Sequence, residues 1–147
     1  MITDAFTKYV ELVALPNKEA GTVAHAIMDT WVTRYSTPHE ILTDNGKEFA
    51  NRLMEELAKQ LGFLHKKTSP WHPQCNASAE VFNRTMRRYL QAVIKPPYLD
   101  WEQFLPALRI CYNTSVSKAT LATPFSLVYG MEANMPFFDM EPSLNYS

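Results

Sequence analysis

A short apolar run, Ile41-Leu42-Thr43, stops at Asp44-Asn45-Gly46. Asp, Asn and Gly in succession are turn residues, so the run reads as a brief strand that ends on an acid. With 35 residues between, Glu80 opens a helix-patterned stretch, Ala79-Glu80-Val81-Phe82-Asn83-Arg84. A chain built this way alternates strands with helices, and α/β folds expose functional groups at the carboxyl ends of their strands. Carboxylates brought together from a strand end and a helix start can share a divalent cation, the chemistry of phosphodiester cutting and joining. Each acid alone has a plainer reading. Asp-Asn-Gly makes an ordinary turn, and a Glu in a first helical turn meets the positive end of the helix dipole.

The 147 residues suit one domain, 46% hydrophobic and 12% aromatic, enough for a core. A charged fraction of 20% and a mean hydropathy of −0.23 belong to a water-soluble globular chain. No apolar run reaches the roughly 20 residues of a membrane span, and no signal-like segment follows Met1. Cys75 and Cys111 are too few for a disulfide framework, so a reducing compartment, nuclear or cytoplasmic, is expected. His25, His39, His65 and His72 are scattered without paired cysteines, which argues against a zinc module. A net charge of −1 puts any nucleic-acid contact on a local basic patch rather than on overall charge.

Along the chain, Thr7 to Leu15 alternates as a strand, with Tyr9, Glu11 and Val13 on one face and Val10, Leu12 and Ala14 on the other. Asn17 is placed to cap a helix to about Tyr35, whose buried stripe is Val23, Ile27, Trp31 and Tyr35. Leu53, Leu57 and Leu61 mark a second helix with Gly62 at its end, and Phe63 to Lys67 reads as a strand. Residues 69–77 form a Pro-containing loop ahead of a helix from about Ser78 to Ile94. Asp100 caps a helix from Trp101 to about Asn113 that carries Pro106, and Thr123-Pro124 starts a short helix ending at Gly130. The expected class is α/β, one domain over 1–147, with 131–147 as an extended tail.

On the helix after Glu80, Glu80, Asn83, Arg84, Arg87, Arg88 and Gln91 share one side, and Phe82, Met86, Tyr89 and Val93 the other. An acid at one end with arginines behind it suits a metal beside phosphates. A solvated face with a Glu80–Arg84 pair fits the same residues.

These motifs together resemble the catalytic core of retroviral and long-terminal-repeat retrotransposon integrases. The resemblance rests on Thr43-Asp44-Asn45-Gly46-Lys47-Glu48-Phe49, on Trp71-His72-Pro73-Gln74, on Glu80-Val81-Phe82-Asn83-Arg84, and on the interval between the two acids. Trp101…Leu105-Pro106…Tyr112-Asn113-Thr114 and Thr123-Pro124-Phe125…Tyr129-Gly130 match the retrotransposon branch. It implies an RNase H-like fold, a mixed sheet flanked by helices, here lacking the first strand and most of the second. It also implies that Asp44 and Glu80 are the second and third catalytic, metal-binding acids, holding Mg²⁺ or Mn²⁺. Asn83, Arg84 and Arg87 match positions facing the donor DNA end. Trp71, His72, Gln74 and Asn76 match a loop that contacts DNA near the reacting phosphodiester. Lys66 and Lys67 either add phosphate contacts or are simply solvated.

The chain departs from the pattern in three places. Asp4 matches a hairpin position rather than the first metal ligand. Ala77 stands where the loop usually has Gly, which removes φ > 0 freedom. Val81 stands where Arg is common. The implied function is DNA integration, 3′-processing and strand transfer on retroelement ends and target DNA, with weak or absent catalysis for an N-terminally incomplete core. A homo-oligomer is a further expected partner. The alternative is a non-enzymatic retroelement remnant that binds nucleic acid or protein.

Overall fold

The computed structural model describes residues 1–46, 49, 52–67, 84 and 100–135. Strand β1 (Ile2–Thr3) pairs antiparallel with β2 (Val10–Glu11), Ile2 opposite Glu11 and Thr3 opposite Val10. Strand β3 (Glu40–Thr43) pairs parallel with β4 (Leu64–Lys67), in register from Glu40–Leu64 to Thr43–Lys67. A parallel pair needs a crossover, and α3 (Arg52–Leu61) supplies it. Among the described residues the two pairs are separate sheets.

Strand β2 is shorter than the Thr7–Leu15 alternation predicts, and on its N-terminal side Thr7 and Lys8 belong to the hairpin loop. The Asp4 Oδ2 accepts hydrogen bonds from the Thr7 N–H and the Thr7 hydroxyl, both at 2.7 Å. Lys8 turns at φ 65°, a left-handed conformation that costs an L-residue about 1–2 kcal/mol. The loop is drawn tight by Asp4 and Thr7, a side-chain turn that hydropathy does not register.

The long helix runs from Ala20 to Tyr35 in three parts: α1 (Ala20–Ile27), a π-wound turn (Met28–Val32) and α2 (Thr33–Tyr35). Asn17 lies ahead of it, its Oδ1 accepting from the Glu19 N–H at 3.0 Å and the Thr22 hydroxyl at 2.7 Å. Val23 and Ile27 are buried as predicted. The π turn, closing i to i+5, displaces the register beyond it, and Trp31 and Tyr35 are only partly covered. Ser36 at φ 73° then ends the helix.

Val23 and Ile27 meet Met54, Ala58 and Phe63 in the main core, with Ile41, Phe49, Leu57 and Leu61 packed around it. Of the three leucines that mark α3, Leu57 and Leu61 thus reach this core, and the deepest positions on the helix are Met54 and Ala58. Met54 is fully buried while Leu53 is 43% exposed. Gly62 at φ 77° turns the chain from α3 into β4.

A 3₁₀ turn (Trp101–Phe104) leads into α4 (Leu105–Asn113). The Asp100 carboxylate accepts from the Gln103 side-chain amide at 3.1 Å and caps no backbone group. Pro106 sits in the first turn of α4, where its missing N–H has no helical partner to lose. Helix α5 (Pro124–Tyr129) is capped by Thr123, whose hydroxyl accepts from the Ser126 N–H at 3.1 Å, and it ends at left-handed Gly130. Both ends fall where the sequence places them. The predicted Ser78–Ile94 helix lies outside the described residues apart from Arg84, which is helical and exposed. The tail from residue 136 onward also lies outside them.

Candidate active site and a buried ion cluster

Asp44 follows directly on β3 and is exposed. Its Oδ1 accepts from the Gly46 N–H at 3.0 Å, the side-chain turn expected of Asp-Asn-Gly. That bond aims the carboxylate back over the turn and uses one oxygen. Because β3 and β4 run parallel and Thr43 is opposite Lys67, both strands finish at the same edge. Lys67, the last residue of β4, therefore lies beside the strand end that leads into Asp44, at the strand spacing of about 4.8 Å.

The edge is tied together from below. The Thr43 hydroxyl and the His65 Nε2 lie 3.0 Å apart, and Thr43 is buried. Burial pushes the His65 imidazole below its ordinary range, nearby Lys67 pushes it the same way, and Glu55 opposes them. Lys66 pairs with Glu40 at 2.7 Å, so it is engaged across the strands rather than merely solvated. Lys67 is exposed at the strand end.

A carboxylate oxygen is a hard donor suited to Mg²⁺ or Mn²⁺, and Asp44 presents one at an open strand end. Glu80 and the DNA-contact residues Trp71, His72, Gln74, Asn76, Asn83 and Arg87 lie outside the described residues. Among the described residues no three His, Cys, Asp or Glu side chains gather as a metal site.

A second cluster escapes the sequence patterns. Glu11 is 1% exposed and its carboxylate is met from three sides. Its Oε1 accepts from the Tyr35 hydroxyl at 2.7 Å and the Arg34 Nη1 at 3.2 Å, and its Oε2 from the Arg109 Nη1 at 2.6 Å. The hydrogen bond to Glu11 holds the Arg109 guanidinium more firmly protonated than usual, though burial works against it. Burial first, then the hydroxyls of Tyr129 and Tyr9 and the Glu11 carboxylate, push the Tyr35 phenol far up. The strand alternation did carry a signal, an acid between the apolar Tyr9 and Val13. Its partners lie 23 and 98 positions away, beyond the reach of local periodicity.

The sequence matches the family described as Integrase core domain over residues 1–73. It is 31% identical over 130 residues to the retrovirus-related Pol polyprotein from transposon 412 of Drosophila melanogaster, covering 88% of this chain and 10% of that one. The chain thus spans about a tenth of the length of the curated relatives it matches. The fold is similar to the catalytic core domain of BIV integrase, with a TM-score of 0.68 at 23% identity, covering 85% of this chain and 80% of that one. It is similar too to the HTLV-2 integrase catalytic core in complex with magnesium, in trimeric form, with a TM-score of 0.64 at 17% identity over 84% and 79% of the two chains. These likenesses identify the α/β arrangement as the RNase H-like fold of integrase cores.

Proposed function

We propose that this chain, which belongs to the integrase core family, acts on retroelement DNA ends and target DNA, in 3′-processing and strand transfer. The observation that supports this most is the position of Asp44, exposed at the carboxyl end of a parallel strand with one oxygen fixed by Gly46 and the other without a partner among the described residues. In this reading Asp44 and Glu80 are the acids that hold a divalent cation, Mg²⁺ or Mn²⁺. When bound, such an ion activates a water or a DNA 3′-hydroxyl and stabilises the leaving oxygen.

The chain's own residues have distinct tasks. Thr43 and His65 hold the strand end at a set height beneath Asp44. Arg84, exposed on its helix, and Arg87 grip phosphates of the donor end. Trp71, His72, Gln74 and Asn76 contact DNA beside the reacting phosphodiester.

The test is a Mn²⁺-supported strand-transfer assay on the chain as given and on a version extended by a strand bearing a third Asp. The extended protein should yield joined DNA, and Asp44→Asn or Glu80→Gln should each abolish it while circular dichroism stays unchanged. Turnover surviving Glu80→Gln would remove that residue from the site. No product from a folded extended protein would leave the non-enzymatic reading, a nucleic-acid or protein-interaction module, in its place.

A further inference from the structure

The Glu11 cluster forms the floor of a cavity of about 540 Å³, walled by β2, the end of α2, α4 and α5. Two guanidinium groups face one carboxylate there, so the cluster keeps one positive charge in excess. Each guanidinium spends only Nη1 on Glu11, and the other N–H groups of both forks have no partner among the described residues. The side chains of Arg34 and Arg109 are 49% and 35% exposed, so they reach from the buried floor to the open mouth.

Phenol groups complete the lining. The Tyr129 hydroxyl stands 3.5 Å from those of Tyr9 and Tyr35, longer than a good O–H···O bond. Tyr9 stacks edge-on against both rings, with centroids 5.7 Å from Tyr35 and 6.0 Å from Tyr129. The rings are held in place while the Tyr9 and Tyr129 hydroxyls keep donors to spare. A purely structural ion pair needs a satisfied acid. It needs neither a surplus cation nor an open volume above it.

We propose that this cavity binds a monoanionic carboxylate, gripped by the free edges of Arg34 and Arg109 above Glu11 and by the hydroxyl of Tyr129. The charge count selects a monoanion. One carboxylate brings the cluster to neutrality, whereas a phosphate monoester near −2 overshoots it. Shape agrees, since a planar carboxylate matches the planar guanidinium fork edge to edge. The ligand is a free small carboxylate or an acidic side chain presented by a peptide. This site is independent of the Asp44 chemistry.

The experiment titrates the full chain, observed by NMR of its arginine side-chain N–H groups, with four probes. They are propionate, an end-capped five-residue peptide with one central Glu, the same peptide with Gln, and dimethyl phosphate. Propionate or the Glu peptide should saturate and move the Arg34 and Arg109 signals, and the tighter of the two identifies the source. The Gln peptide should leave them in place. Arg34→Gln should weaken carboxylate binding by about tenfold or more, and Arg34→Lys should restore part of it. Arg34 is half exposed and Arg109 still pairs with Glu11, so the fold survives the change, and a retained cooperative thermal transition verifies that. Failure of both carboxylates to saturate, equal binding of the Gln peptide, tighter binding of dimethyl phosphate, or affinity unchanged in Arg34→Gln would each overturn the proposal.

Discussion

The side-chain amide of Asn113 closes both free backbone groups of Val10: its Oδ1 accepts from the Val10 N–H at 2.9 Å and its Nδ2 donates to the Val10 carbonyl at 3.0 Å. In the β1–β2 ladder the neighbouring Asp4 N–H bonds the Tyr9 carbonyl, so the N–H and C=O of Val10 face away from β1. Asn113, from α4, thus stands where another strand would pair. It answers an edge that would otherwise leave two buried polar groups unsatisfied.

Asn113→Leu should therefore destabilise the fold by about 2–4 kcal/mol, since it strands a buried donor and a buried acceptor together. Urea denaturation measures the loss, and hydrogen exchange of the Val10 amide should accelerate beyond the global change. Full retention of Val10 protection would show that the edge is satisfied by another group.

Glu11→Gln keeps the shape of the buried side chain but removes its charge from between Arg34 and Arg109. Charged hydrogen bonds contribute more than neutral ones, and breaking a buried pair leaves the partners uncompensated. The half-exposed arginines recover part of their hydration, so the expected cost is about 2–3 kcal/mol. An unfolding free energy within about 0.5 kcal/mol of the parent, the range of surface substitutions, would mean the cluster ties nothing together.

The α/β class, the β3 strand, the α3–Gly62 turn into β4 and the caps of α5 were legible because each is written within a few neighbouring residues. Thr123-Pro124 and Gly130 set the ends of α5 by their own backbone preferences. Asp44 was legible for the same reason, its turn bond to Gly46 spanning two residues. Glu11 and Asn113 were not. Tyr112-Asn113-Thr114 was recognisable as a motif, but the role of Asn113 depends on a contact 103 positions away. The leucines that marked α3 as a helix were legible, and Leu57 and Leu61 do reach the core, but packing against Val23 and Ile27 put Met54 and Ala58 deepest, which hydropathy rank does not register.

The unequal depth of neighbouring positions on α3 can be measured. Met54 is fully buried and Leu53 is 43% exposed, so Met54→Ala should cost about 2–4 kcal/mol through lost transfer energy and a cavity. Leu53→Ala should cost well under about 1 kcal/mol. Paired denaturation curves decide it. Equal costs would mean that Leu53 packs as deeply as Met54.

Acid should weaken the fold through His65. Burial and Lys67 hold its folded pKa below the ordinary value of 6.5, with Glu55 as a partial counterweight. The unfolded chain therefore takes up a proton at pH values where the folded chain resists one, and stability rises with pH across that window. The contribution is complete above about pH 6.5 and is lost as pH falls through the folded pKa. Protonation also removes the Nε2 lone pair and leaves Thr43 as acceptor only. Urea midpoints at two pH values, one above and one below 6.5, should separate more in the parent than in His65→Gln. The same drop in both proteins would place the acid sensitivity elsewhere and free the strand end beneath Asp44 from any dependence on this ring.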